Sequence, residues 1–247
     1  MPIIYLSPST QDWNQYVTGS GSEEYNMNLL ADALIPYLVS NGIRYKRNRP
    51  DMTAASSIRE ANAGDYDFYL ALHSNAAPEG RYGEERGIIA FYYPGSAQGQ
   101  RAAELIAEEL RKIYPLPDKV TTRSTTTLGE VRRSRAPAVL VEIGYHDNYA
   151  DAVWLEGHWD AIAQQLARAL TSLFGLPFIY PMDPVPGVVR LNYGTLNLRA
   201  APSSAGVVLA HMPNGAAVTI LGEWQGWYVI RYGEEVGYAA AAYVDEA

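Results

Sequence analysis

Asp67-Phe68-Tyr69-Leu70-Ala71-Leu72-His73-Ser74-Asn75-Ala76 decides the fold. An apolar run of strand length ends abruptly in an imidazole, a hydroxyl and an amide. Strands buried on both faces read as continuous apolar runs rather than alternating ones. Polar groups at the carboxyl end of such a strand sit where open α/β sheets place their ligands. His73 is one of four histidines in 247 residues, so chemistry that needs an imidazole has few other sources.

Working outward, Ile3-Ile4-Tyr5-Leu6, Ile43 to Arg47, Ile88 to Tyr93 and Ala138 to Ile143 read as further strands. Helical spacing marks the segments between them. Met27, Leu30, Leu34 and Leu38 recur on one face, with Ser22 as N-cap, Glu23 and Glu24 in the first turn, Pro36 as an expected kink and Gly42 as a stop. Helices are also expected around 54–63, over 98–113 and, as one or two pieces, over 152–174. Strands alternating with helices predict an α/β domain, a sheet flanked by helices, over residues 1–176.

Residues 177–188 are rich in proline and lack a helical period, so they read as a linker. Residues 189–247 carry short β-rich runs at 196–199, 207–212, 218–221 and 227–230, with turn signals at Pro213-Asn214-Gly215 and Gln225-Gly226. These predict a small all-β barrel of about sixty residues.

Composition narrows the function. The net charge of −8 argues against nucleic acid and anionic membranes as partners, and no apolar run is long enough for a membrane span. The absence of cysteine removes disulfides, thiolate ligands and a cysteine nucleophile. The N-terminus reads straight into a strand, with no signal peptide pattern. Either a signal has been removed or the protein leaves the cell by another route such as lysis.

Three residues stand out as chemistry. Glu23 shares the inward stripe of its helix with Met27 and Leu30. Glu142 interrupts an apolar strand, where an unpaired carboxylate is costly. With His73, these are the residue types that ligate zinc or act as a general base on a bound water.

Ser22-Glu23-Glu24-Tyr25-Asn26-Met27, His73-Ser74-Asn75-Ala76 and Ala136 to Tyr145, in that order and spacing, resemble the zinc-dependent N-acetylmuramoyl-L-alanine amidases of the amidase 3 family. Gly194 to Pro202, Gly226-Trp227-Tyr228 and Gly237-Tyr238 resemble a bacterial SH3 domain. The first resemblance implies a peptidoglycan hydrolase that cleaves the amide between N-acetylmuramic acid and L-alanine. It implies Zn2+ as cofactor, Glu23 and His73 as metal ligands and Glu142 as catalytic carboxylate. The second implies binding of cell-wall peptide. The family's further histidine, in an Asp-Pro-Gly-His-Gly pattern, falls on Thr10 of Ser7-Pro8-Ser9-Thr10-Gln11. His146 is the candidate to supply the missing imidazole; otherwise it contacts substrate and the metal is weakly held or absent. Asn75 and Arg132 are candidates for positioning substrate. Two rival readings are a non-catalytic wall-binding protein on this fold and a metal-dependent peptidase.

Overall fold

The computed structural model describes all 247 residues and divides the chain into two compact units. One unit comprises Ile3–Leu34 and Tyr45–Leu173. Its six strands are β1 (Ile3–Pro8), β2 (Arg44–Arg47), β3 (Phe68–Asn75), β4 (Ile88–Tyr92), β5 (Val120–Ser124) and β6 (Ala138–Tyr145). They form one sheet in the order β2-β1-β3-β6-β4-β5. The pairs β1–β3, β3–β6 and β4–β5 are parallel, and β4–β6 is antiparallel. The helices are α1 (Glu23–Ser40), α2 (Ala54–Ala63), α3 (Ala97–Arg111), α4 (Gly129–Arg132), α5 (Tyr149–Glu156) and α6 (Trp159–Phe174).

Side chains alternate across the pleat, so one face of β1, β3 and β6 carries Tyr5, Tyr69, Ala71, Ala138 and Leu140. These pack with Ala61 of α2 and Val131 of α4 in a single cluster. Ile4, Leu6, Leu70, Leu72, Val139 and Val141 lie on the opposite face and are fully buried. Burial of both faces explains why β3 and β6 read as unbroken apolar runs. The strand register then sets the site. His73 of β3 lies directly beside Glu142 of β6, and Ser7 of β1 beside Ala71.

The sequence-derived helix bounds hold closely. α1 keeps Pro36 inside the helix, Ser22 Oγ accepts from the amide of Tyr25 at 3.2 Å, and Gly42 takes the left-handed φ of +70° that ends the run. The 152–174 segment is two helices, separated by Gly157 and His158. β5 and the four-residue α4 were not foreseen. Both lie in polar sequence without a clear period.

The second unit contains Phe174–Ala247 with Met1–Pro2 and Ile35–Arg44. Its strands are β7 (Val185–Val189), β8 (Thr195–Arg199), β9 (Val208–Pro213), β10 (Ala217–Trp224), β11 (Trp227–Tyr232), β12 (Glu235–Ala240) and β13 (Val244–Glu246). They form a seven-stranded sheet in the order β13-β7-β10-β11-β12-β8-β9 around Leu198, Met212, Ile220 and Ile230. Gln225 and Gly226 have φ of +47° and +82°, the paired positive values of a two-residue turn matched to strand twist. The proline-rich stretch expected as linker is partly structured. Val185–Val189 is a strand between β10 and β13, and Ile179 is buried against Leu221 and Val229. The local signal of Pro184 and Pro186 gives way to pairing made far along the chain: Pro186 lies opposite Thr219 in the antiparallel ladder.

Candidate active site

The carboxyl ends of β1, β3 and β6 meet at one edge of the first sheet, and a carboxylate–imidazole–carboxylate arrangement stands there. His73 Nδ1 lies 2.9 Å from Glu23 Oε1, and His73 Nε2 lies 2.9 Å from Glu130 Oε2. All three residues are buried. Glu23 is delivered by the first turn of α1, where Ser22 caps the helix. Glu130 comes from α4, which packs on β6 and α2.

Each carboxylate is held on its second side. Glu130 Oε1 accepts from Ser7 Oγ and Tyr69 Oη, both at 2.7 Å. Glu23 Oε2 accepts from Asn14 Nδ2 at 2.8 Å. Asn14 Nδ2 also donates to Gln11 Oε1 at 3.1 Å, and Gln11 Nε2 lies 3.4 Å from His73 Nδ1. Two amide side chains therefore fill the space beside Glu23 and His73. Burial draws the His73 pKa down, but the hydrogen bonds and charges of Glu130 and Glu23 lift it well above its ordinary value. Burial raises Glu23 and Glu130, and the His73 partnership outweighs it, so both end below the usual carboxylate range.

Glu142 differs. Its Oε2 is buried with no hydrogen-bond partner. Burial, with the negative charges of Glu23 and Glu130 adding to it against the positive pull of His73, pushes its pKa up to about 7. A carboxyl poised near neutrality can both take and return a proton. Beside this centre lies a cavity of about 640 Å³ lined by Ser7, Thr10, Gln11, Trp13, His73 and Glu130 among others. Trp13 is 69% exposed.

The expected site residues are thus partly gathered. Glu23, His73 and Glu142 converge. His146 is buried, but its Nδ1 is engaged by Ser74 Oγ at 3.1 Å and the Ser74 carbonyl at 3.0 Å, and its ring stacks on Tyr16. The structure gives it to Ser74 rather than to Glu23 and His73. Asn75 ends β3, its side-chain oxygen accepting from the amide of Ala76 and its carbonyl from the amide of His146. Arg132 is exposed at the end of α4, two residues beyond Glu130. Glu130 was missed by sequence reading. The only signal was an acid set between the apolar Leu128 and Val131, obscured by three following arginines.

These donors do not fit a catalytic zinc. No three His, Cys, Asp or Glu side chains are arranged to hold a metal ion, whereas such a centre takes three protein ligands. A ligating histidine donates one ring N–H to a neighbouring carboxylate and turns its other nitrogen to the metal. Here Glu23 already grips that other nitrogen at hydrogen-bond length.

The site and fold have clear kin. Residues 10–172 match the family described as N-acetylmuramoyl-L-alanine amidase, and residues 194–245 match the bacterial SH3 domain. The chain belongs to the N-acetylmuramoyl-L-alanine amidase family, whose members hydrolyse peptidoglycan and are generally zinc-dependent, and it carries a bacterial SH3 domain. A germination-specific N-acetylmuramoyl-L-alanine amidase of Bacillus subtilis is 24% identical over 195 residues, 70% of this chain and 79% of that protein. A sporulation-specific amidase of the same species is 23% identical over 211 residues, 83% and 79% of the two chains. Among solved structures, an amidase of Nostoc punctiforme superposes with a TM-score of 0.62 at 16% identity, covering 70% of this chain and 97% of that one. That likeness concerns the fold.

Proposed function

We propose that this chain cleaves the amide joining N-acetylmuramic acid to L-alanine, with Glu142 as the proton acceptor. The orphaned, near-neutral carboxyl of Glu142 at the carboxyl edge of the sheet carries this reading. Ionised, it takes a proton from the attacking water; protonated, it returns that proton to the leaving amine. Asn75, at the end of the neighbouring strand, is assigned to substrate. A peptidoglycan substrate supports a site of action that is extracellular or at the cell wall.

The β-rich unit supplies wall binding in this reading. A groove of about 910 Å³ there is lined by Arg190, Tyr193, Asn197, Arg199, Trp227 and Tyr243 among others. Tyr193 is 90% exposed and Tyr243 48%. Rings and guanidinium groups of this kind suit a cell-wall peptide with its carboxylates.

The test is mass spectrometry of purified peptidoglycan digested by the full chain. Stem peptides with free L-alanine amino termini are expected. Glu142→Gln should lower their release by roughly 10²-fold or more, while wall sedimentation is retained. The rate should rise with pH through about 7, as Glu142 ionises. Internal peptide cleavage would instead make the chain a peptidase. The occupied nitrogens of His73 favour one other reading, a wall-binding protein without cleavage. Wall that is bound yet yields no products at any metal concentration would establish it.

A further inference from the structure

The centre of this site is closed to metal by the way its side chains are paired. Both ring nitrogens of His73 meet carboxylate oxygens at 2.9 Å. A contact of that length holds one hydrogen, and with Glu23 and Glu130 both ionised the hydrogens of both contacts belong to the ring. The ring is then an imidazolium, which has no lone pair to offer. Two ligands on a tetrahedral zinc with bonds of about 2.0 Å stand about 3.3 Å apart, further than the 2.9 Å seen between Glu23 and His73. The remaining oxygens are committed too: Glu130 Oε1 to Ser7 and Tyr69, Glu23 Oε2 to Asn14. Gln11 and Asn14 pack their amides where another ligand would need to enter, and His146 is tied to Ser74. Glu130 is the decisive addition, since without it one ring nitrogen would be free.

We propose that a proton, not a metal ion, holds this centre: His73 is an imidazolium clamped between Glu23 and Glu130, and the chain takes up no stoichiometric zinc there. One positive ring between two negative carboxylates gives each a charged partner, and the hydrogen bonds of Ser7, Tyr69 and Asn14 hold the single negative charge left over. The proposal stands on these contacts and is independent of which bond the cleft breaks.

The full chain, incubated with zinc and then desalted through a weak competing chelator, is assayed by plasma mass spectrometry. Less than about one tenth of a zinc per chain is expected. The same preparation, labelled with ¹⁵N in histidine, is examined by long-range nitrogen–proton correlation near neutral pH. His73 should show two protonated ring nitrogens. His146→Gln, His158→Gln and His211→Gln assign its signals by elimination, so no substitution in the clamp is needed. About one zinc per chain, or a neutral His73 with one bare nitrogen, overturns the proposal. Wall digestion in excess chelator, run alongside, separates this from the amidase reading. A doubly protonated His73 with no digestion keeps the clamp and removes the amidase activity; stoichiometric zinc with digestion does the reverse.

Discussion

At the scale of the residue, the site sets opposite demands on four titrating groups. The elevated His73 gives stability that is complete below its unfolded value near 6.5 and is lost as pH rises through the higher folded value. The depressed Glu23 and Glu130 give stability present above 4.5 and lost as pH falls through their lower folded values. Glu142, raised to about 7, costs stability progressively as pH rises from 4.5 through 7. The signs of His73, Glu23 and Glu130 place maximum stability between 4.5 and 6.5, and Glu142 draws it toward the lower end of that window. Thermal midpoints measured from about pH 4 to about pH 9 should peak in that window and decline above it. A maximum at about pH 8 would contradict the clamp. For the same reason Glu142→Gln should raise the midpoint at about pH 8, because a neutral amide replaces an ionised carboxylate lacking one partner.

At the scale of the element, β6 carries Gly144 one residue before its end, and the φ of +72° there redirects the chain two residues after Glu142. A Cβ at Gly144 would lie 3.4 Å from that of Asp151, so the neighbouring acid crowds the turn. Asp151 is fully buried in α5. It accepts from the Tyr145 and Gly87 amides at 3.1 Å, from Tyr114 Oη at 2.6 Å and from Arg86 Nε at 2.7 Å. One side chain thus fixes the exit of β6, the entry to β4 and the segment after α3. Asp151→Ala should cost about 3–5 kcal/mol in denaturant unfolding, because it strands a partly buried arginine and several donors. A loss below about 1 kcal/mol would refute this role.

The elements also explain what the sequence made legible. β3 and β6 announced themselves because double burial leaves an unbroken apolar run, and His73 and Glu142 stood out as its interruptions. Glu23 was legible through helical spacing. Glu130 was not, since a four-residue helix has no period and its acid sits in ordinary polar surroundings until the fold closes over it. His146 misled for the converse reason. Proximity to Glu142 along the chain suggested a shared centre, but the left-handed Gly144 and a register shift against β3 intervene, and His146 bonds to Ser74. In the second unit, the turn at Gln225-Gly226 was readable locally. β7 was hidden, because prolines signal a break while its partners lie about 30 or more residues away.

At the scale of the whole molecule, the proposed function divides the work between a cutting unit and a holding unit. Tyr193→Ala with Trp227→Ala should weaken sedimentation with whole cell wall by roughly 10-fold or more. Cleavage of a small soluble muramoyl peptide should be unchanged. Equal loss on both substrates would contradict the division. No helix is long and apolar enough to cross a membrane, and the net charge of −8 disfavours anionic surfaces.

The unpartnered Oε2 of Glu142 also gives the molecule a built-in optical signal. A protonated carboxyl free of hydrogen bonds has a carbonyl stretch at higher frequency than its solvated counterparts. Difference infrared spectra across neutral pH should therefore isolate Glu142 from the other acids of this chain. Arrival of substrate or water at that oxygen would register directly as a shift of the band.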